Sequence, residues 1–341
     1  MVVIYFMFFI SCAIKLKLKK DNMKNLFKTT LIILLSVVVL ACSDDDDNMV
    51  DTNSEVTIAA FVAANSDYSS LLAALERANL ATVLDGTDEF TVFAPNNDAF
   101  SAFLSANGFA SLDDVPVDIL TQVLLNHVIA GTVESGQLAT GYVNTLATFG
   151  DSDNNLSLYV NTASGVLLNG ISSVTMADIS ASNGVIHAVD AVIALPTVVT
   201  FATADATFGN LVAALTRADQ PDFVSILSTP METSPAPFTV FAPTNDAFVA
   251  LLAELGVNDL SDIDTATLTA TLNMHVIAQA NVRAEDLVDG TVTTLGGDID
   301  IDASNARITD ANGRVSNIVV VNVQAANGVV HAIDKVILPQ L

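Results

Sequence analysis

The sequence predicts an α+β fold that is built twice in tandem. The chain has 341 residues, which exceeds one typical core and suits two domains of about 140 residues plus a leader. Hydrophobic residues make up 51% of the chain and charged residues 15%, a composition typical of globular proteins. An internal repeat, with helical spacing of apolar residues followed by strand-like alternation in each copy, indicates the same class.

Residues 1–42 are predicted to be a signal leader. Two lysines follow Met23, then an apolar run over residues 31–40, and the segment ends at Val39–Cys42 (VLAC). This is the order of a secretory signal peptide, and the run is about half of the roughly 20 residues that a membrane-spanning helix needs. The final four residues resemble the lipobox of bacterial lipoproteins, so we expect lipid attachment at Cys42. Ordinary secretory cleavage is the alternative.

A second apolar run, over residues 2–14, precedes this leader. We interpret it as a sign that translation begins at Met23. The alternative is a start at Met1 with an unusually long basic region, and a two-helix membrane hairpin is disfavoured because each run is too short.

An acidic tether is predicted over residues 43–54, beginning with Ser43–Asp47 (SDDDD). Such a stretch is solvated and self-repelling. It is also similar to the acidic export signal that certain Gram-negative bacteria place directly after the lipidated cysteine. We therefore expect an outer-membrane lipoprotein that is exposed at the cell surface.

Charge is divided sharply along the chain. Six of the twelve Lys and Arg residues precede Cys42, but only one of the 38 Asp and Glu residues does. A surface this acidic repels phosphate backbones, which argues against nucleic-acid binding, and it favours cationic partners or weak bridging by divalent ions. The two cysteines, Cys12 and Cys42, both lie in the leader, so no disulfide between them can hold the folded part.

Two segments recur along the chain and define the repeat. Phe90–Phe100 (FTVFAPNNDAF) returns as Phe238–Phe248 (FTVFAPTNDAF), and Asn183–Asp190 (NGVIHAVD) returns as Asn327–Asp334 (NGVVHAID). All four histidines of the chain fall at two equivalent positions. A repeating unit of about 140 residues is the size of a whole domain. We therefore predict a tandem duplication with domains over residues 55–195 and 196–341.

Within each copy the periodicity changes from helix to strand. Apolar residues at helical spacing predict a first helix at the start of the domain, and a short FTVF strand follows and ends at Ala-Pro. An Asn/Asp cluster then caps a second helix, and a third helix comes after it. Alternating stretches between Asn, Gly and Asp turns then predict strands that form an antiparallel sheet. The defining residues are Tyr68, Leu71, Leu72, Leu75, Phe208, Leu211, Val212 and Leu215 for the first helix, Leu120, Leu124, His127, Leu268, Leu272 and His275 for the third helix, and 156–159, 299–301 and 318–323 for strands.

The repeated segments resemble the paired signature segments of fasciclin domains. Both copies carry both segments, and the resemblance covers about residues 55–340. It implies two tandem fasciclin-like domains, each a wedge of two β-sheets with packed helices, of the kind found in extracellular adhesion proteins, and it does not imply catalysis. The family often has Tyr before the histidine of the third helix, whereas Asn126 and Met274 stand there in this chain. Receptor contacts of that element are therefore not carried over.

The histidines are interpreted as structural residues. His127 and His275 are predicted to lie on the apolar face of the third helix, where a lone histidine is usually a hydrogen-bonded core residue. The same interpretation applies to the histidines of the second segment. Strand alternation places Asp190 on the face opposite His187, so no His–Asp dyad is expected.

Asp98 and Asp246 are predicted to be capping or first-turn residues rather than general bases. The complete set of structural-motif residues is Asn97, Asp98, His127, His187, Asp190, Asn245, Asp246, His275, His331 and Asp334.

Two acidic patterns suggest calcium without completing a site. Residues 298–302 (DIDID) form a strand with one polar face. Residues 151–155 (DSDNN) begin like an EF-hand loop, but Leu156 stands where glycine is needed and Thr162 stands where glutamate closes the shell. We expect no resident metal and no cofactor.

The sequence contains no nucleophile elbow, phosphate-binding glycine loop or zinc-type Cys/His cluster, so we predict that the protein is not an enzyme. The first expectation is adhesion to a protein or polysaccharide on a cell surface or matrix, with a lipid anchor in the membrane. The second is a glycan- or small-ligand-binding lipoprotein that serves uptake, although four Tyr and no Trp leave few sugar-stacking side chains. A hydrolase built from loop residues is the third.

Overall fold

A computed structural model of the protein describes residues 56–340. The predicted leader, the lipid-attachment residue Cys42 and the acidic tether lie outside the described residues. Both repeats belong to one compact unit. In the described part, no single helix is long and apolar enough to cross a membrane, and two sharply bent helix pairs meet that test only when each pair is taken together.

The first domain begins with helices and continues into strands. Its helices are α1 (Ile58–Ala64), α2 (Ser69–Arg77), α3 (Ala81–Leu84), α4 (Asn97–Ala106) and α5 (Val117–Leu125). Its strands are β1 (Phe90–Pro95), β2 (Val128–Ala130), β3 (Gly141–Thr148), β4 (Asn155–Asn161), β5 (Leu167–Leu168), β6 (Ser172–Ala181) and β7 (Gly184–Val189).

The second domain repeats this order. Its helices are α6 (Val198–Ala204), α7 (Gly209–Leu215), α8 (Phe223–Leu227), α9 (Asn245–Leu255) and α10 (Thr265–Asn273). Its strands are β8 (Phe238–Pro243), β9 (Val276–Ala278), β10 (Gly290–Thr293), β11 (Asp298–Asp302), β12 (Arg307–Thr309), β13 (Val315–Ala325) and β14 (Gly328–Ile333). The predicted α+β class and its doubling are confirmed.

Each domain holds seven strands in one hydrogen-bonded order. The order is β2-β1-β7-β6-β5-β4-β3 in the first domain and β10-β11-β12-β13-β14-β8-β9 in the second. Register shifts in β6 and β13 mark bulges, which allow a long strand to bend. In the first domain the sheet curls far enough for its last strand, β3, to contact β2. The wedge is therefore one bent sheet rather than two separate ones.

The strands after the third helix pair antiparallel, as predicted, but the early FTVF strand of each domain does not. Strand β1 pairs in parallel with β7, and β8 pairs in parallel with β14. A parallel pair needs a long crossover, and here the crossover is nearly the whole domain, because β1 comes early and β7 comes last. Every residue of β1 and of β8 is buried, which explains why both strands are continuous apolar runs.

Glycine is required where the parallel strands begin. Gly184 pairs with Phe90 and has φ of +141°, and a Cβ placed on it would stand 1.9 Å from the Phe90 carbonyl oxygen. Gly328 has φ of +156°, and its Cβ would stand 2.2 Å from the Phe238 oxygen. A side chain at either position would push the two parallel strands apart. The Asn-Gly pair of the signature segment thus has a steric reason.

We expect Gly184→Ala and Gly328→Ala each to lower the free energy of unfolding by about 3 kcal/mol or more, because both the clash and the positive φ oppose a Cβ. Urea unfolding followed by circular dichroism measures the change. Gly136→Ala is the matched control, since a Cβ there meets no atom within 4 Å and its φ is not in the left-handed region. Equal stability of Gly136→Ala and Gly184→Ala would contradict this account.

Candidate functional site

Asn97 and Asn245 join two helices at the start of the capped helix. The Asn97 side-chain oxygen accepts the backbone N–H of Ser70 at 2.9 Å, and its amide donates to the Ser66 carbonyl at 2.8 Å. Asn245 makes the equivalent bonds in the second domain, at 2.8 and 2.9 Å. The cap itself is the preceding residue, Asn96 or Thr244. Both asparagines are therefore committed to the fold.

Asp98 and Asp246 lie in the first turn of helices α4 and α9 and are exposed. A carboxylate at this position interacts favourably with the helix dipole. Asp190 and Asp334 follow the last strands of their domains. Asp190 accepts the backbone N–H of Ser173 at 2.7 Å, and Asp334 accepts the backbone and side-chain N–H groups of Asn317, each at 2.7 Å.

His127 and His275 are buried just after the third helix rather than on it. Helix α5 ends at Leu125, because the chain must turn there to enter β2. The Nδ1 atom of His127 lies 2.7 Å from the Val123 carbonyl oxygen, and the backbone N–H of Ile193 donates to Nε2 at 2.8 Å. His275 makes the same two kinds of contact, at 2.8 and 3.0 Å. Each ring links the helix end to the last segment of its domain.

These contacts require neutral rings. Because Nε2 accepts a backbone N–H, it carries no proton, and Nδ1–H donates to the helix carbonyl. Burial lowers the pKa of His127 to about 4, against the opposing effect of its hydrogen bond to Val123. Burial likewise lowers the pKa of His275 to about 4. Neither ring is exposed or charged in a way that suits acid–base catalysis near neutral pH.

His187 and His331 carry the opposite tautomer. The backbone N–H of Asp178 donates to Nδ1 of His187 at 3.2 Å, so the proton is on Nε2, which lies 3.0 Å from the Val133 carbonyl oxygen. His331 repeats this pattern with the N–H of Asn322 at 3.4 Å and the Val282 carbonyl at 3.0 Å. Burial lowers the pKa of His331. The rings fasten the bulges of β6 and β13 to the loops that follow β2 and β9.

The structure places no His beside an Asp in a catalytic arrangement among the predicted site residues. Asp190 bonds the backbone of β6, whereas His187 bonds Asp178 and Val133 from within β7. On the acidic strand β11, Asp298 and Asp300 accept the hydroxyls of Thr293 and Thr291. In residues 56–340, no group of three or more His, Cys, Asp or Glu residues is arranged to hold a metal ion.

A buried polar cluster joins the two domains. The Tyr142 hydroxyl donates to Asp205 at 2.9 Å, the Tyr159 hydroxyl reaches the other carboxylate oxygen at 3.4 Å, and the Thr207 backbone N–H donates to that same oxygen at 2.9 Å. The Tyr142 ring also meets Phe201 edge-on, with centroids 5.5 Å apart. Burial and the nearby Asp205 carboxylate raise the pKa of Tyr142 above its usual range.

Further contacts fix the junction. The backbone N–H of Gln324 in β13 donates to the Ser157 hydroxyl in β4 at 3.0 Å, and both residues are buried. Tyr159 of the first domain packs in the apolar core of the second. The domains are therefore held in one arrangement by a shared core and by paired polar groups.

The residues that form this junction were not predicted from the sequence. The sequence feature that could have indicated it is a difference between the two copies. Asp205 follows helix α6, whereas Asn65 stands at the equivalent position after α1. The Asn65 side chain bonds only inside its own domain, to the Phe61 carbonyl. Asn183 and Asn327 were also missed. Each buried amide joins three backbone groups of the domain's first helices and loops.

A cleft opens beside the junction, with a volume of about 500 Å³. Its walls are β3, β4 and their connecting turn on one side and β13 with Arg283 on the other. Most of the lining is polar.

The histidine contacts predict a loss of stability in mild acid. Unfolded histidine binds a proton below about pH 6.5, but folded His127 and His275 resist protonation down to about pH 4. Their contribution is full above pH 6.5 and is lost as pH falls from 6.5 to 4, on the order of 3 kcal/mol for each ring. The hydrogen bond from Arg283 lowers the pKa of Glu285 to about 2, so the contribution of Glu285 to stability changes only below about pH 4.5.

Urea unfolding at several pH values between 7 and 4.5 measures how steeply the free energy of unfolding falls with pH. His275→Gln should make this dependence less steep. Because that variant is itself destabilised, a second measurement follows the histidine ring protons of the unaltered protein by NMR. Both buried rings should remain neutral at pH 5. Titration of either ring near pH 6.5 would contradict the assignment.

Comparison with known proteins identifies the family. The fasciclin domain family matches residues 66–196 and 206–339. Protein sll1483 of Synechocystis sp. is 38% identical over 149 residues, which cover 42% of this chain and 77% of that protein. Transforming growth factor-beta-induced protein ig-h3 of Sus scrofa is 29% identical over 262 residues, covering 75% of this chain and 35% of the animal protein. The chain thus spans about a third of that protein's length.

Among solved structures, a FAS1 domain pair from the insect cell adhesion molecule Fasciclin I covers 78% of this chain and 92% of its own, at 19% identity and a TM-score of 0.45. The two family matches together span most of the sequence, and each contains both signature segments. The chain therefore belongs to the fasciclin domain family and carries two tandem copies of the domain.

Proposed function

We propose that this protein is a non-enzymatic binding protein that uses its two fasciclin domains for adhesion to a cell, a matrix or a protein partner. The observation that carries the proposal is the match of both repeats to the fasciclin family. Members of that family are generally non-enzymatic adhesion proteins. The solved pair from an insect cell adhesion molecule belongs to the same family.

The placement of polar groups supports binding rather than chemistry. The signature asparagines and histidines, with Asp190 and Asp334, bond backbone groups inside the fold. Asp98 and Asp246 are exposed, so recognition falls to the surfaces on which such residues lie. Those surfaces are acidic. Among the basic side chains, Arg77 and Arg217 bond backbone carbonyls of their own domains, and Arg314 is held between Glu254 and Asp310. A partner with cationic groups, or one bridged through divalent ions, fits this charge.

Adhesion of densely coated beads tests the proposal, because multivalent display makes weak single contacts visible. Beads carrying the purified full chain should clump together or capture the producing cells above the level of beads coated with an unrelated protein of equal negative charge. The assay is run with and without millimolar calcium. If fasciclin-coated and control beads behave alike on cells and on one another, adhesion is rejected. A glycan bound without any capture would instead favour uptake of a ligand.

We further propose that the protein is anchored in the outer membrane through a lipid on Cys42 and faces the cell exterior. The support is the order of basic, apolar and VLAC segments followed by the acidic run. This part of the chain lies outside the described residues.

Cys42→Ala should move the protein from the membrane fraction to the soluble fraction, because the thiol that would carry the lipid is gone. Immunoblots of fractionated cells measure the shift. Ser36→Ala, a small change in the same leader that keeps Cys42, is the matched control and should stay with the membrane. Detergent-dependent membrane association of Cys42→Ala would count against the anchor.

A further inference from the structure

The cleft beside the domain junction has features of a binding site. Its volume of about 500 Å³ falls in the range of small-ligand pockets, and both domains line it. Two residues of the first domain that line it also bond the second domain: Ser157 accepts the backbone N–H of Gln324, and Tyr142 donates to Asp205. Because these contacts fix both walls, the cleft is formed before any ligand arrives, which reduces the entropic cost of binding.

The first domain lines the cleft with polar side chains that have no partner in the protein. Asn144 of β3, Asn155 of β4, and Asp153 and Asn154 of the connecting turn all line it. Among the described residues, none of these four side chains forms a hydrogen bond or an ion pair. Four adjacent side chains thus offer both donors and acceptors to the cleft.

The second domain contributes a cation and an apolar strip. Arg283 donates from Nε to Glu285 at 2.6 Å and from Nη1 to Gln324 at 3.1 Å, which fixes the guanidinium, and no bond from Nη2 to a described residue is formed. Val320 and Val321, at the bulge of β13, are 42% and 45% exposed and line the same cleft. The wall facing the amides is therefore partly apolar and carries an N–H donor.

This combination matches a hydroxyl-rich ring. Each hydroxyl of a sugar can donate and accept a hydrogen bond. The asparagine amides of the cleft also offer donors and acceptors, the carboxylate accepts, and the guanidinium donates. The C–H face of a sugar can contact aliphatic side chains. A small cationic ligand would be repelled by Arg283. An anionic ligand would be repelled by Asp153 and by the net charge of the chain, which is −26. We propose that the junction cleft binds one or two units of a neutral saccharide. This inference rests on the proposed function and names the partner class of its adhesive surface.

A glycan array displaying neutral and uronic-acid oligosaccharides, probed with the labelled full chain, tests the proposal. Neutral oligosaccharides should bind, and calorimetry with the best-bound one should give one site. Asn144→Ala and Asp153→Asn should each weaken that binding about tenfold, since each removes hydrogen bonds to a hydroxyl. Asp151→Asn is the matched control: it makes the same change of charge two residues away, in the same turn, but Asp151 does not line the cleft.

The outcomes separate this inference from the proposed function. Loss of binding in Asn144→Ala and Asp153→Asn, with Asp151→Asn unaffected, supports the cleft. Capture of cells or beads with no neutral saccharide bound overturns the cleft proposal and leaves adhesion standing. Saccharide binding that is unchanged in both cleft variants, or that is confined to uronic-acid sugars, also overturns it. Circular dichroism and unfolding midpoints equal to those of the unaltered protein establish that the variants are folded.

Discussion

The parallel pairing of the first and last strands is the constraint on which each domain depends. Strands β1 and β7 are the second and third of the seven strands, and nearly every residue in them is buried. Because nearly the whole domain lies between them in sequence, their pairing encloses the intervening helices and hairpins and closes the domain. The close approach at Gly184 sets the start of the register, and the amide of Asn183 ties the same point to the backbone of α1 and the loop after α3.

The histidines extend that constraint to the rest of the fold. His187 sits in β7 and fastens the β6 bulge, while His127 fastens the end of α5 to Ile193. The two rings use opposite tautomers, because in one the Nδ1 atom receives a backbone N–H and in the other the Nε2 atom does. Four buried rings therefore serve as backbone connectors in a chain with no cysteine after residue 42.

Sequence reasoning predicted the local elements well and the long-range pairing poorly. The FTVF strand, the capped helix after it and the strands near Leu156 and Ile299 follow from spacing and turn chemistry, which act within a few residues. Whether β1 pairs in parallel or antiparallel depends on residues almost a hundred positions away, and no local pattern encodes it. His127 was predicted on a helix face because the seven-residue spacing continues past the point where the backbone turns.

The junction and its cleft were beyond sequence reasoning for a different reason. Their residues are ordinary polar and aromatic side chains, drawn from both copies, that do not occupy equivalent positions in the repeat. An internal repeat identifies the positions that are alike in both copies. Tyr142, Tyr159 and Asp205 lie at positions where the copies differ. Comparing the copies position by position, as with Asn65 and Asp205, was the available signal.

The fixed junction turns the two domains into a spacer of constant length. Surfaces on opposite domains are held at a set distance, because Tyr159 is packed in the neighbouring core and Asp205 bonds both tyrosines. A partner made of repeating units can touch both surfaces only when its own repeat matches that distance. Under the proposed binding function, spacing would select a partner alongside chemistry, and a polymer with suitable groups at the wrong interval would engage one domain at a time.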